Sequence, residues 1–71
     1  MEQVRISVGG MSCTGCERRI ERAVQDLDGI RHVKADHRAG AVAVLLDEAQ
    51  SDEAAVRSRI EQVGYEVRGA A

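Results

Sequence analysis

Apolar and polar residues alternate strictly at the start of the chain, with Val4, Ile6 and Val8 set against Gln3, Arg5 and Ser7. A period of two marks a half-buried strand, predicted here over residues 2–8 and ended by Gly9-Gly10. The period then changes. Ile20, Ala23, Val24 and Leu27 recur at i, i+3, i+4 and i+7, the apolar stripe of a surface helix. Thr14-Gly15-Cys16-Glu17 has the form of a capping box, with Thr14 as N-cap and Glu17 reaching back. Asp28-Gly29 stops the helix, the glycine being suited to a left-handed C-terminal position.

Ile30–Asp36 reads as a second strand with Val33 and Ala35 inward, and Ala41–Leu46 as a third with Val42, Val44 and Leu46 inward. The short turn His37-Arg38-Ala39-Gly40 makes these two a hairpin. Ser51 is the expected N-cap of a second helix, with Asp52 and Glu53 complementing its dipole. That helix buries Val56, Ile60 and Val63, and Gly64 ends it. Tyr65-Glu66-Val67 is a short fourth strand, and Gly69-Ala70-Ala71 a frayed tail.

Strand, helix, strand, strand, helix, strand, joined by right-handed crossovers, predicts an α+β ferredoxin-like βαββαβ sandwich. It has a four-stranded antiparallel sheet with two helices on one face. We expect one domain over residues 1–71, with an ordered core of about 2–68. In this topology the loops after strand one, strand two and helix two fall at one end. Cys13, Cys16, the His37-Arg38 turn and Tyr65 should therefore share an edge.

Composition narrows the function. Lys and Arg number 10 against 12 Asp and Glu, so there is no basic field for nucleic acid. No apolar run approaches the roughly 20 residues of a membrane span, and the N-terminus lacks the pattern of a signal peptide. A cytoplasmic setting is the default expectation, and there thiols stay reduced. Tyr65 is the only aromatic residue, so the core is built from Val, Ile, Leu and Ala.

The only two cysteines, Cys13 and Cys16, lie three apart on the glycine-rich loop between strand one and helix one. Thiolates select soft ions such as Cu(I), and a helix N-terminus favours the thiolate. Two sulfurs on a short loop approach a linear S–M–S arrangement, which suits Cu(I) and Hg(II). The low coordination number leaves room for an incoming thiol, the property of a carrier. Zn(II) prefers four ligands and is less favoured. Cys13, Cys16, His32 and His37 match a zinc-finger spacing, but His32 falls on a strand where a finger needs a helix. A dithiol redox protein is the other chemical reading, weakened by the absence of Trp and Pro.

Gly10-Met11-Ser12-Cys13-Thr14-Gly15-Cys16 resembles the Gly-Met-x-Cys-x-x-Cys signature of heavy-metal-associated domains. That family includes bacterial copper chaperones, N-terminal modules of copper-transporting P-type ATPases, and mercury-binding proteins. The resemblance extends through Asp28-Gly29-Ile30, Val33, Gly40, Asp47 and Gly64-Tyr65. It implies that Cys13 and Cys16 are the metal ligands and that the domain passes its ion to an ATPase domain of similar fold. It implies no enzymatic reaction. Met11 packs inward to steady the loop, Thr14 and Gly15 support it, and Tyr65 shields the metal. Cu(I) is favoured, with Hg(II) and Zn(II) open. A free-standing chaperone is favoured over a module of a larger transporter or mercury-detoxification protein. The expected state is a monomer, with room for a metal-bridged homodimer. Glu17 follows Cys16, where many copper chaperones carry an apolar residue. A cap is its first reading and a weak third ligand the sharper one. A solvated turn residue is the first reading of His37, and ligation the alternative.

Overall fold

The computed structural model describes residues 1–70. The elements are β1 (Glu2–Gly9), α1 (Thr14–Gln25), β2 (Ile30–Asp36), β3 (Ala41–Leu46), α2 (Glu53–Val63) and β4 (Glu66–Ala70). The strands form one antiparallel sheet in the order β2-β3-β1-β4. This is the expected ferredoxin-like arrangement.

Register explains the core. Val4 of β1 lies opposite Val44 of β3, which lies opposite Val33 of β2; Ile6, Val42 and Ala35 form the next row. All six are buried. Helix α1 adds Ile20 and Val24, and α2 adds Val56 and Ile60, with all four fully enclosed. The intervening sheet residues Arg5 and Lys34 face solvent beside Ala43, as the period of two requires.

Two irregularities adjust this register. Ile30 pairs with Leu46 while His32 pairs with Leu45, so one residue is extra on β2. That bulge turns both Ile30 and Val33 into the core despite their odd spacing. A second lies between β1 and β4, where Val8 pairs with Val67 but Ser7 with Gly69. The extra residue, Arg68, lays its guanidinium over Gly9, where a Cβ would stand 2.6 Å from Nε.

Several expected boundaries are corrected. Strand β4 is longer than Tyr65–Val67: Gly69 and Ala70 pair with Ser7 and Ile6 instead of fraying. Ala71 lies outside the described residues. Asp52, not Ser51, caps α2, accepting from the Ala55 N–H at 2.9 Å. Helix α1 stops at Gln25 with Asp26 as its C-cap. The following turn reaches Gly29, whose φ of +85° is left-handed and whose carbonyl accepts from Asp47 N–H at 2.7 Å. Val63 is only half-buried. No described helix is long and apolar enough to cross a membrane.

Candidate metal centre

The loop between β1 and α1 is anchored by its apolar member. Met11 is buried in the core cluster, as expected, while Ser12, Cys13, Thr14 and Gly15 are exposed. Cys13 has an extended backbone and is itself the N-cap of α1, with no side-chain cap bond; Thr14 is the first helical residue. The first turn is closed by the Cys16 and Glu17 N–H groups, which donate to the Cys13 carbonyl at 3.1 and 3.3 Å. The expected Thr14 cap is therefore absent. Cys13, in that place, is exposed.

Both thiols are free, with Sγ atoms 3.3 Å apart. That is well beyond the ~2.05 Å of a disulfide. Gly15 leaves open space beside them: a Cβ there would meet only Cys13 Sγ, at 3.7 Å. Cys16 is half-buried against the core edge and Cys13 is exposed.

Tyr65 completes the rim. It is half-buried, packs on the core cluster, and its ring passes 3.8 Å from where a Gly10 Cβ would stand. Its hydroxyl is the largest influence on Cys16, whose pKa is lowered from 9.0 to about 6. The Ser12 backbone and the Cys13 thiol act in the same direction, and partial burial opposes them. The same contact and burial raise the Tyr65 pKa. Cys16 is thus mainly thiolate at neutral pH, and the principal cause is a side chain nearly fifty positions away. The expected helix-terminus effect is not the first cause. In Tyr65→Phe we expect the midpoint of Cys16 alkylation by iodoacetamide to rise by about one pH unit, the scale of one lost hydrogen bond to a charged acceptor. Mass spectrometry resolving the two cysteines would measure it, and an unmoved midpoint would remove Tyr65 from this role.

Glu17 neither caps the helix nor faces the sulfurs. One oxygen, Oε2, accepts from His37 N–H at 2.7 Å and contacts His37 Nδ1 at 2.6 Å. The His37 backbone, then its ring, holds the Glu17 carboxyl below the usual range. His37 is half-buried by this contact instead of solvated. Its turn does lie at the metal-loop end, where Val8 N–H donates to Gly40 carbonyl at 2.7 Å. Neither residue joins the sulfurs: no group of three or more His, Cys, Asp or Glu suited to a metal occurs among the described residues. His32 is exposed on β2.

Pairing of Arg18, Arg19 and Arg22 with Glu21 and Asp26 is the natural expectation along α1. The carboxylates point elsewhere. Glu21 accepts from Ala35 N–H at 2.9 Å, and Asp26 meets Arg59 of α2 at 3.7 Å. Sequence reasoning missed these tertiary uses of Glu17 and Glu21. The available signal was the row Glu17, Glu21, Gln25, spaced i, i+4, i+8 alongside the apolar stripe; Gln25 donates to the Ile30 carbonyl at 3.2 Å.

The heavy-metal-associated domain profile matches residues 5–66. The chain belongs to the heavy-metal-associated domain family. It is 37% identical over 67 residues to the copper chaperone CopZ of Bacillus subtilis, covering 94% of this chain and 97% of that one. It is 29% identical over 66 residues to the copper-exporting P-type ATPase of the same organism, covering 93% of this chain but 8% of the ATPase. Among solved structures, a CopZ metallochaperone superposes with a TM-score of 0.91 at 30% identity, over 93% of this chain and 98% of the other. In this heavy-metal-associated domain, the Cys-Thr-Gly-Cys loop occupies the exposed end of the sandwich, bracketed by Met11 beneath and Tyr65 beside it.

Proposed function

We propose that this domain binds Cu(I) through Cys13 and Cys16 and passes it, by thiolate exchange, to a P-type ATPase domain of similar fold. The observation that carries this reading is the pair of free thiols 3.3 Å apart at the start of α1, with no third ligand group beside them among the described residues. A linear S–M–S arrangement sets the sulfurs two metal–sulfur bonds apart, ~4.6 Å on the scale of the zinc–thiolate bond of about 2.3 Å. Cys13, unburied, has the freedom to swing outward by that difference, while Cys16 is held at the core edge.

The exchange follows from the same geometry. A two-coordinate soft ion accepts a third thiolate from the exposed side, Cys13 leaves first because it is the less confined, and Cys16 follows. The lowered pKa of Cys16 means that metal capture at neutral pH displaces few protons from that sulfur. No bond in a substrate is made or broken, so the domain acts as a carrier and not as an enzyme. The similarity to copper chaperones supports copper over Hg(II) and Zn(II). The 37% identity to the copper chaperone CopZ supports a chaperone role, with the cytoplasm as its proposed place of work. Cys13 is exposed and Cys16 half-buried beside it, which supports a Cu(I)-bridged homodimer, entered through Cys13, when no partner is present.

Anaerobic competition titration with Cu(I), Hg(II) and Zn(II) against a chelator of known affinity tests this. We expect one equivalent of Cu(I), held far more tightly than Zn(II). Comparable or stronger retention of Zn(II) would overturn the copper reading.

A further inference from the structure

We propose that the β2–β3 turn is a brace for the metal loop, and that Glu17 is the positioning residue through which it acts on Cys16. The inference rests on the reading of Cys13 and Cys16 as ligands. Its basis is that both ends of the loop are tied to one turn. On the entering side, Val8 N–H donates to the Gly40 carbonyl at 2.7 Å. On the leaving side, Glu17, the residue after Cys16, takes His37 N–H at 2.7 Å and His37 Nδ1 at 2.6 Å on a single oxygen. The turn is itself stiffened: Asp36 Oδ1 accepts from the N–H groups of Arg38 at 3.0 Å and Ala39 at 3.3 Å.

On its inner side this part of α1 is held by the half-buried Cys16; on its outer side Glu17 is the side chain that ties it to another element. Its N-cap makes no side-chain bond, Thr14 and Gly15 are exposed, and the next fully buried anchor is Ile20, about one turn further on. Without Glu17 the first turn of the helix keeps only the partial packing of Cys16 on the core edge, and the freedom of that sulfur increases. A loop held at both ends loses less conformational freedom when its two sulfurs are brought onto one ion. Charge alone predicts the reverse. An anion beside a thiolate disfavours it, so removing Glu17 would strengthen the site if electrostatics governed. Geometry and electrostatics therefore give opposite signs.

The test measures the dithiol as well as the metal. Equilibration with glutathione gives the effective concentration of one thiol at the other: two thiols lose two electrons and two protons to oxidised glutathione, yielding the Cys13–Cys16 disulfide and two reduced glutathiones. Glu17→Ala is expected to lower that effective concentration, and the affinity for Cu(I), by about tenfold, one lost charge-assisted tether. Glu17→Gln removes the charge but keeps an acceptor oxygen, and should remain within about twofold of the parent. Asp52→Ala, which uncaps α2 away from the loop, should leave both quantities unchanged while lowering the melting temperature. Values for Glu17→Ala equal to or above the parent would overturn the brace. So would parallel losses in Asp52→Ala, which would make the effect one of general stability. A shifted dithiol equilibrium in a protein that fails to take up Cu(I) would uphold the brace and discard the copper reading.

Discussion

Cys16→Ala is expected to reduce Cu(I) affinity by about a thousandfold, beyond the ten- to hundredfold that loss of an outer-shell partner brings. With one sulfur remaining, the ion must complete its coordination from solvent or buffer, and the chelate advantage of two donors on one loop is gone. Cys16 is the more severe loss of the two. It is the half-buried sulfur at the core edge, and it carries the lowered pKa of about 6. Cys13→Ala removes the exposed sulfur and leaves that thiolate in place, so it should retain weak binding that a competing thiol displaces. The double variant should bind no Cu(I) in competition with a chelator. Parent-like affinity in the double variant would sink the assignment of both ligands. Circular dichroism should show all three folded as the parent, because neither side chain belongs to the enclosed core.

Ile20→Ala is expected to destabilise the fold by about 3 kcal/mol, within the range for an enclosed Ile truncated to Ala. Ile20 is 0% exposed and is the first apolar residue of α1 to enter the core after the metal loop. A chain of this size has a net stability of only a few kcal/mol, so the loss is a large fraction of the whole. Thermal unfolding by circular dichroism should show a melting temperature lower by roughly 10–25 °C. Ile20→Val, which removes one methylene, should lose no more than about half of that. A melting temperature unchanged in Ile20→Ala would mean that the core does not depend on α1 as the packing indicates. Because α1 carries Cys16 and Glu17, apo Ile20→Ala should also hold its dithiol less well. Added Cu(I) should restore part of the melting temperature by binding the folded state alone.

The Glu17, Tyr65 and Cys16 observations together describe a site whose sulfurs are local in sequence but whose environment is not. The loop places the thiols at the helix start. Tyr65, from the far end of the chain, is the first cause of the Cys16 pKa shift. His37, from the hairpin turn, takes the carboxylate that follows Cys16. A carrier of the proposed kind needs a site open enough to exchange its ion and firm enough to hold it. Here the open side is Cys13, and the firm side is Cys16, packed on the core edge, in contact with Tyr65 and followed by the braced Glu17.

The chain's own pattern determined most of the architecture, and the reason is local periodicity. Val4, Ile6 and Val8 can face one side only as a strand, and Ile20 and Val24 can share a stripe only as a helix. Cys13 and Cys16, three apart at such a junction, must emerge at the helix start, so their proximity was legible without a structure. The order of elements then limited the sheet to very few topologies. What the tertiary structure alone decided concerns single residues whose partners are distant in sequence. The bulge on β2 that buries Ile30 depends on pairing with β3. The extension of β4 through Gly69 and Ala70 depends on the open edge of β1. The choice of Asp52 over Ser51, and of Cys13 over Thr14, as helix caps turned on backbone positions that any of these residues could fill. Glu17 has a local use in a capping box and a distant use at His37. The distant use prevailed because two donors on one residue of a rigid turn outweigh a single backbone N–H in a solvated first helical turn.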